Sequence, residues 1–316
     1  LNLSNSNIDD SAIAALSSLK GLRCLTVWSY GITAEGAARL QQALPNCVVL
    51  HESLEPSAAE RRAAKWILKN KGYVAGGKGY YFGQIKQVDE LTNGILTADF
   101  FDKIPSDGAE NLAGLQSIEN LLWGGMSQAN IDKANLRELV SLRFLNLSGS
   151  DLNERSMQSI GRLKQIEALQ LIGCPNLTDS SLKSLSGLKH LNSLHLGNSP
   201  ITDNGLQHLS DLQSLSALDL FTGKLITGKG LQSLSGLTSL RELHLGYTSI
   251  DDAGLTHLEK LPRLRALSLG GTQFTPAGIA KLQAALPDCV VFHESLKNQP
   301  WGAANPAPAI APVDAK

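Results

Sequence analysis

The chain has no long run of charge of either sign, and its 28 basic and 29 acidic side chains leave a formal net charge of −1 at neutral pH. That balance gives no electrostatic ground for expecting nucleic acid or an anionic membrane surface as a partner. No apolar stretch is longer than a strand, so no membrane insertion is expected either. Cysteine is scarce. Cys24, Cys47, Cys174 and Cys289 are far apart and lack CxxC spacing, so small buried thiols are expected in preference to disulfides or a metal site. Free thiols lean toward a cytoplasmic setting. The sequence opens in the middle of a repeat, however, and the truncated start expected from this leaves the compartment open.

Catalytic signatures are missing too. The glycine run from Gly72 to Gly83 contains Lys78 but has neither P-loop spacing nor a dinucleotide fingerprint, and it reads as a turn. There is no nucleophile elbow, HExxH helix or calcium loop. No cofactor and no catalytic residue are expected.

What the chain does contain is an apolar position that returns every 24 residues, with two steps of 25: Leu1, Leu25, Val49, Tyr73, Thr97, Leu121, Leu145, Leu169, Leu194, Leu218, Leu243, Leu267 and Val291. Such a period marks a stacked architecture in which each unit buries its apolar edge against its neighbours. Within a unit, Leu194 and Leu196 share one side of a short strand, and Ile201, Leu206, Leu209, Leu212 and Leu215 follow at helical spacing. Thr202 and Asp203 stand where a side-chain oxygen accepts the free amides of the first helical turn. Ser11, Thr178 with Asp179, Asp251 with Asp252, and Thr275 are placed likewise. Ser6, Ser150, Cys174, Ser199, Thr248 and Thr272 follow the strands and are expected to bond the curving backbone.

The segments LNSLHLGNSPITDNGL at 191–206 and LRELHLGYTSIDDAGL at 240–255 resemble leucine-rich repeats. They are most similar to the ribonuclease-inhibitor-like and cysteine-containing class of bacterial repeat proteins and F-box-type substrate receptors. The resemblance covers 1–54 and roughly 95–296. It implies an α/β solenoid, a horseshoe with a parallel concave sheet and helices on the convex side. It also implies binding of macromolecules, and it brings no shared catalytic residue.

Residues 31–54 recur at 273–296 with 15 of 24 positions identical. Both copies are expected to close an array, with Pro45, Asn46, His51 and Glu52, and their counterparts Pro287, Asp288, His293 and Glu294, on a polar outer face. The expected organisation is an array ending at 1–54, a helix and hairpin cap over 55–94, a second array over 95–296 and a disordered Pro/Ala-rich tail over 297–316. In the cap, the helix at 57–71 places Ala59, Ala63, Trp66 and Ile67 on one face and stops at Gly72.

On the concave sheet, the residue between the two strand leucines should point outward. This column includes Val74, Ala98, Asn146, Gln170, His195, Asp219 and His244, with Glu242 close by. A His195, Asp219, His244 row has the residue types for zinc or acid-base chemistry; the favoured reading is a solvated polar stripe, with Asp219 facing water. Trp28, Phe100, Phe144, Ile172 and Phe221 flank it as candidate anchors. The expected function is non-catalytic binding of a protein partner on this face by a monomer. The alternatives are the substrate-recognition component of an F-box-type ubiquitin ligase, or the sensor region of a larger enzyme such as a kinase.

Overall fold

A computed structural model describes residues 1–295 except 2, 4, 5, 23, 28–30, 52–57, 79–80, 86–94, 101–107, 114, 116 and 294. Among them the apolar period becomes short parallel strands. β1 (Cys24–Thr26) and β2 (Val48–Leu50) form a two-stranded sheet in which Leu25 pairs with Val49. A second sheet has eleven strands. It contains β3 (Tyr73–Lys78), β4 (Tyr81–Ile85), β5 (Ile95–Asp99), β6 (Asn120–Leu122), β7 (Phe144–Asn146), β8 (Ala168–Gln170), β9 (Ser193–His195), β10 (Ala217–Asp219), β11 (Glu242–His244), β12 (Ala266–Ser268) and β13 (Val290–Phe292). From β5 to β13 the strands run parallel in chain order, and the antiparallel hairpin β3–β4 completes the edge beyond β5.

Each repeat returns from strand to strand through a helix or 3-10 turn, which is what a parallel ladder requires. The inward leucines Leu121, Leu145, Leu169, Leu194, Leu218, Leu243 and Leu267 pair in register and are wholly buried. Two separate apolar cores result. One lies around Leu25, Leu40 and Val49, and the other runs from Ala63 to Val291.

Several helical segments start on a capping threonine, aspartate or asparagine. Thr202 accepts from the Asn204 amide at the head of α7 (Asp203–Leu206), and Thr178 from that of Ser181 in α6 (Asp179–Leu182). Asp179 and Asp203 do something the local pattern does not reveal: each reaches the following repeat. Asp179 accepts from Thr202 N at 2.9 Å and Thr202 Oγ1 at 2.6 Å, and Asp203 from Thr227 N at 2.8 Å and Thr227 Oγ1 at 2.6 Å. Asp10 with Thr33 and Asp252 with Thr275 repeat the device. Ser11 is not a cap; its amide donates to Asp9. The six small polar residues that follow the strands all bond backbone, as Ser199 Oγ does to Leu171 O and Ser150 Oγ to Met126 N.

Near the hairpin the strand count slips by one residue. Ala98, not Thr97, pairs with Leu121, and Val74, not Tyr73, pairs with Ala98. Val74 and Ala98 therefore point into the core and are fully buried. The step from Ala98 to Leu121 is 23 residues, and β3 is no repeat strand, so a count carried at 24 falls out of phase. Helix α3 (Ala58–Lys69) buries Ala63, Ala64 and Ile67, while Ala59 and Trp66 are half-buried. Its Glu60 is also buried and accepts from Ser117 Oγ at 2.6 Å. The left-handed residue that ends this helix is Lys71, at φ 60°, and not Gly72. Gly72 N donates to Ile67 O and Lys71 N to Leu68 O, the paired bonds of a Schellman stop.

The duplicated units fold alike. α2 (Ala34–Ala43) and α10 (Pro276–Ala285) are each capped by a threonine, Thr33 and Thr275, and each is followed by a strand at a sheet edge, β2 and β13. Pro45, Asn46, Pro287 and Asp288 are exposed, but His51 and His293 are buried, with His51 Nε2 3.1 Å from Ile32 O. Glu52, Glu294 and the segment 296–316 lie outside the described residues.

Candidate partner-binding face

Because side chains alternate along a strand, the residues on both sides of each inward leucine project from the same open face. Phe144 and Asn146 do so from β7, Ala168 and Gln170 from β8, Ser193 and His195 from β9, Ala217 and Asp219 from β10, and Glu242 and His244 from β11. Ile172 and Phe221 extend their strands by one further outward position. Phe144, Asn146, Gln170, Ile172, Phe221 and His244 are half-buried, and Glu242 is exposed.

Two residues of this row depart from expectation. His195 is 4% exposed and Asp219 8%, so Asp219 does not face water. Its carboxylate organises the turn after its own strand: Oδ1 accepts from Phe221 N at 2.8 Å, and Oδ2 lies 3.5 Å from His195 Nδ1. Burial alone would raise the pKa of Asp219. The hydrogen bond to His195, the Phe221 amide and the neighbouring His195 and His244 imidazoles outweigh it and hold the carboxyl below the usual range.

His195 Nε2 is 3.0 Å from Ser193 Oγ, so Ser193, His195 and Asp219 have the connectivity of a nucleophile relay. A nucleophile also needs a cleft that holds substrate against oxyanion donors. The row instead lies on an open sheet, and the hollows described lie elsewhere, around Pro175–Ser180 with Pro200 and between Lys20, Leu22 and residues 42–47. Among the described residues no group of three or more His, Cys, Asp or Glu is placed to hold a metal ion. No helix among them is long and apolar enough to cross a membrane.

Of the aromatic candidates, Trp28 lies outside the described residues. Phe100 is no surface anchor: it is fully buried, stacked on Trp123 with ring centroids 4.7 Å apart and tilted against Trp66 at 5.2 Å. This trio joins α3 to the sheet. Phe221 does reach the surface, edge-on to Tyr247 at 5.2 Å. Tyr247, a residue the leucine pattern passes over, is 52% exposed. It occupies a position that most other repeats fill with glycine, and aligning the repeats on that position is the signal that reveals it. Cys47, Cys174 and Cys289 are buried thiols not joined in disulfides, and burial pushes the Cys174 and Cys289 thiols up to about 11.

The family described as Leucine Rich repeat matches residues 187–210 and 236–258. No curated protein matches the chain in sequence. Among solved structures, internalin C2 from Listeria monocytogenes is similar with a TM-score of 0.50 and 21% identity, over 75% of this chain and 92% of that one. A second internalin from the same organism, inlF, has a TM-score of 0.50 and 15% identity, over 91% and 77%. At these identities the likeness speaks for the fold alone. With the register of nine parallel strands and the two matched repeats, it shows that the chain folds as an α/β leucine-rich-repeat solenoid.

Proposed function

We propose that the chain is a non-catalytic protein-interaction module that takes a protein partner on its concave sheet and works as a monomer. The observation that carries this reading is a contrast within the repeats. From β6 to β12 the inward position is leucine in every strand, whereas the outward position beside it runs Leu122, Asn146, Gln170, His195, Asp219, His244 and Ser268. Packing demands uniformity inside. Nothing in the fold demands variety outside, and a surface whose chemistry changes at each step is one that recognises a shape and a polarity. Phe144, Ile172 and Phe221 supply rigid apolar contacts among Asn146, Gln170, His195, Asp219, Glu242 and His244, the mixture typical of protein interfaces. A place in an F-box-type ubiquitin ligase, or beside the catalytic domain of a larger enzyme, would use the same face; no observation on the described residues favours either.

The test is affinity capture of the full chain, identification of the partner and titration with variants. Phe144→Ala or Phe221→Ala should weaken binding by about thirtyfold, the consequence of losing a buried aromatic anchor. Unchanged affinity in both variants would sink the concave-face reading.

A further inference from the structure

Seven successive repeats leave the sheet through one residue in the left-handed region: Gly125 (φ 69°), Gly149 (71°), Gly173 (66°), Asn198 (54°), Thr222 (59°), Tyr247 (56°) and Gly271 (70°). Side chains are disfavoured there, least for asparagine and most for β-branched or bulky residues. Glycine on both sides of the three exceptions shows that the turn itself needs no side chain. Strain of this kind persists where something other than folding selects the side chain, and it concentrates at ligand-binding places. The exceptions are consecutive, so they form one patch on the rim of the concave face.

The patch has a defined chemistry. Asn198 is exposed, the Thr222 hydroxyl donates to Phe221 O at 2.6 Å, and the Tyr247 ring meets the Phe221 ring edge-on. Glycines under the rings admit them: a Cβ at Gly246 would come within 2.8 Å of Phe221, and one at Gly271 within 2.6 Å of Tyr247. The outward strand positions of β8 to β12, two in each strand, hold the carboxylates of Asp219 and Glu242 and no lysine or arginine. Glu242 stands with Arg241 and Arg265 at the far ends of their strands, so Asp219 is the carboxylate nearest the rim.

The exposed Tyr247 ring, set edge-on to Phe221, suits a cation, since a guanidinium or ammonium within about 6 Å of a ring centroid is drawn to the ring quadrupole, and the Asp219 carboxylate lies beneath as the acceptor of the Phe221 amide. Resting on the concave-face reading above, we propose that this rim is the binding site for an arginine or lysine side chain of the protein partner. Its cation lies on the Tyr247 and Phe221 rings, with Asp219 as the nearest carboxylate and Asn198 and Thr222 bonding the backbone that carries it.

The test uses the full chain, isotope-labelled for amide NMR, titrated with acetyl-Ser-Arg-Ser-amide, its Glu counterpart and chitotriose. The arginine peptide should shift the amides of 219–222 and 246–248 with millimolar affinity, and added salt should weaken it. Tyr247→Gly removes the ring and relieves the turn, so it should keep or raise the melting temperature while weakening the peptide about tenfold or more. Equal shifts from the glutamate peptide, a response to chitotriose alone, no response at all, or Tyr247→Gly binding like the parent protein would each overturn the proposal. A silent arginine peptide with a protein partner still sensitive to Phe144→Ala defeats the cation site alone. A partner indifferent to both Phe144→Ala and Phe221→Ala defeats the broader reading.

Discussion

The carboxylate that bridges neighbouring repeats permits a sharp test of what couples them. Asp203 accepts two bonds from Thr227 of the next repeat, at 2.8 and 2.6 Å. Gly230, three residues further on, is the position where a Cβ would lie 2.4 Å from Asp203 Oδ1. Asp203→Ala removes two charge-assisted bonds, each worth about 1.5–3 kcal/mol when well shielded; with both partners half-exposed, about 2 kcal/mol in all is expected. Gly230→Ala should cost about 1–3 kcal/mol in the parent protein by overpacking against that carboxylate. The backbone at Gly230 is ordinary, φ −62° and ψ −32° at the start of α8 (Leu231–Leu234). Once Asp203→Ala has removed the carboxylate, the close neighbour that remains is the end of a flexible side chain, Leu206 Cδ1 at 3.0 Å, so the same alanine should cost under about 0.5 kcal/mol or stabilise by roughly as much through reduced chain entropy. Urea titrations of the four proteins by circular dichroism measure the cycle. If Gly230→Ala costs the same in both backgrounds, the glycine is not there to seat the aspartate and the coupling argument fails.

Two further predictions concern ionisation. Asp219 has a depressed pKa in the fold, so it contributes stability that is complete above its unfolded value of about 3.9 and is lost as pH falls through the lower folded value. Melting temperatures of parent and Asp219→Asn should accordingly differ at pH 6 and converge toward pH 3, and a gap that widens on acidification would contradict this. Burial and thiols raised to about 11 should leave Cys174 and Cys289 unmodified by iodoacetamide at pH 8 in the native state, as peptide mass mapping would report, with labelling only after denaturation.

How much of this is legible in the sequence depends on the range of each interaction. The strands from β6 to β13 follow the leucine count because every repeat there repeats one packing problem, and Leu218 lies where the count puts it. At Thr97 and Tyr73 no leucine anchors the count, and the antiparallel hairpin breaks the period, so the reading slipped by one. The aspartates of the T-D-x-G-L motif look like local caps, but their partners are 23 or 24 residues ahead and become neighbours only when repeats stack. Pointing outward from a strand does not mean facing water. His195 and Asp219 project from the concave side, yet Ser193, Phe221 and each other shield them. Phe100 was misplaced for the opposite reason, since a three-ring cluster with Trp66 on a distant helix cannot be read from strand alternation.

The division of the chain makes a last prediction. The core around Leu25 and Val49 shares no residue with the one from Ala63 to Val291. We propose that α3 and the β3–β4 hairpin cap the larger array, in which case a fragment of residues 58–296 should fold by itself and unfold in one cooperative transition. A fragment beginning at residue 114 should not. It loses β5, the partner of β6, together with Ile67, Val74, Phe100 and Leu112, which are wholly buried and contribute about 1.5–3 kcal/mol each in area removed from water. It would also bare Trp123, fully buried against Phe100 and Trp66, and an unpaired strand edge of the kind that seeds aggregation. Light scattering and calorimetry of the two fragments decide the matter. If they were equally soluble and equally stable to heat, the helix and hairpin would be an appendage to an array that closes without them.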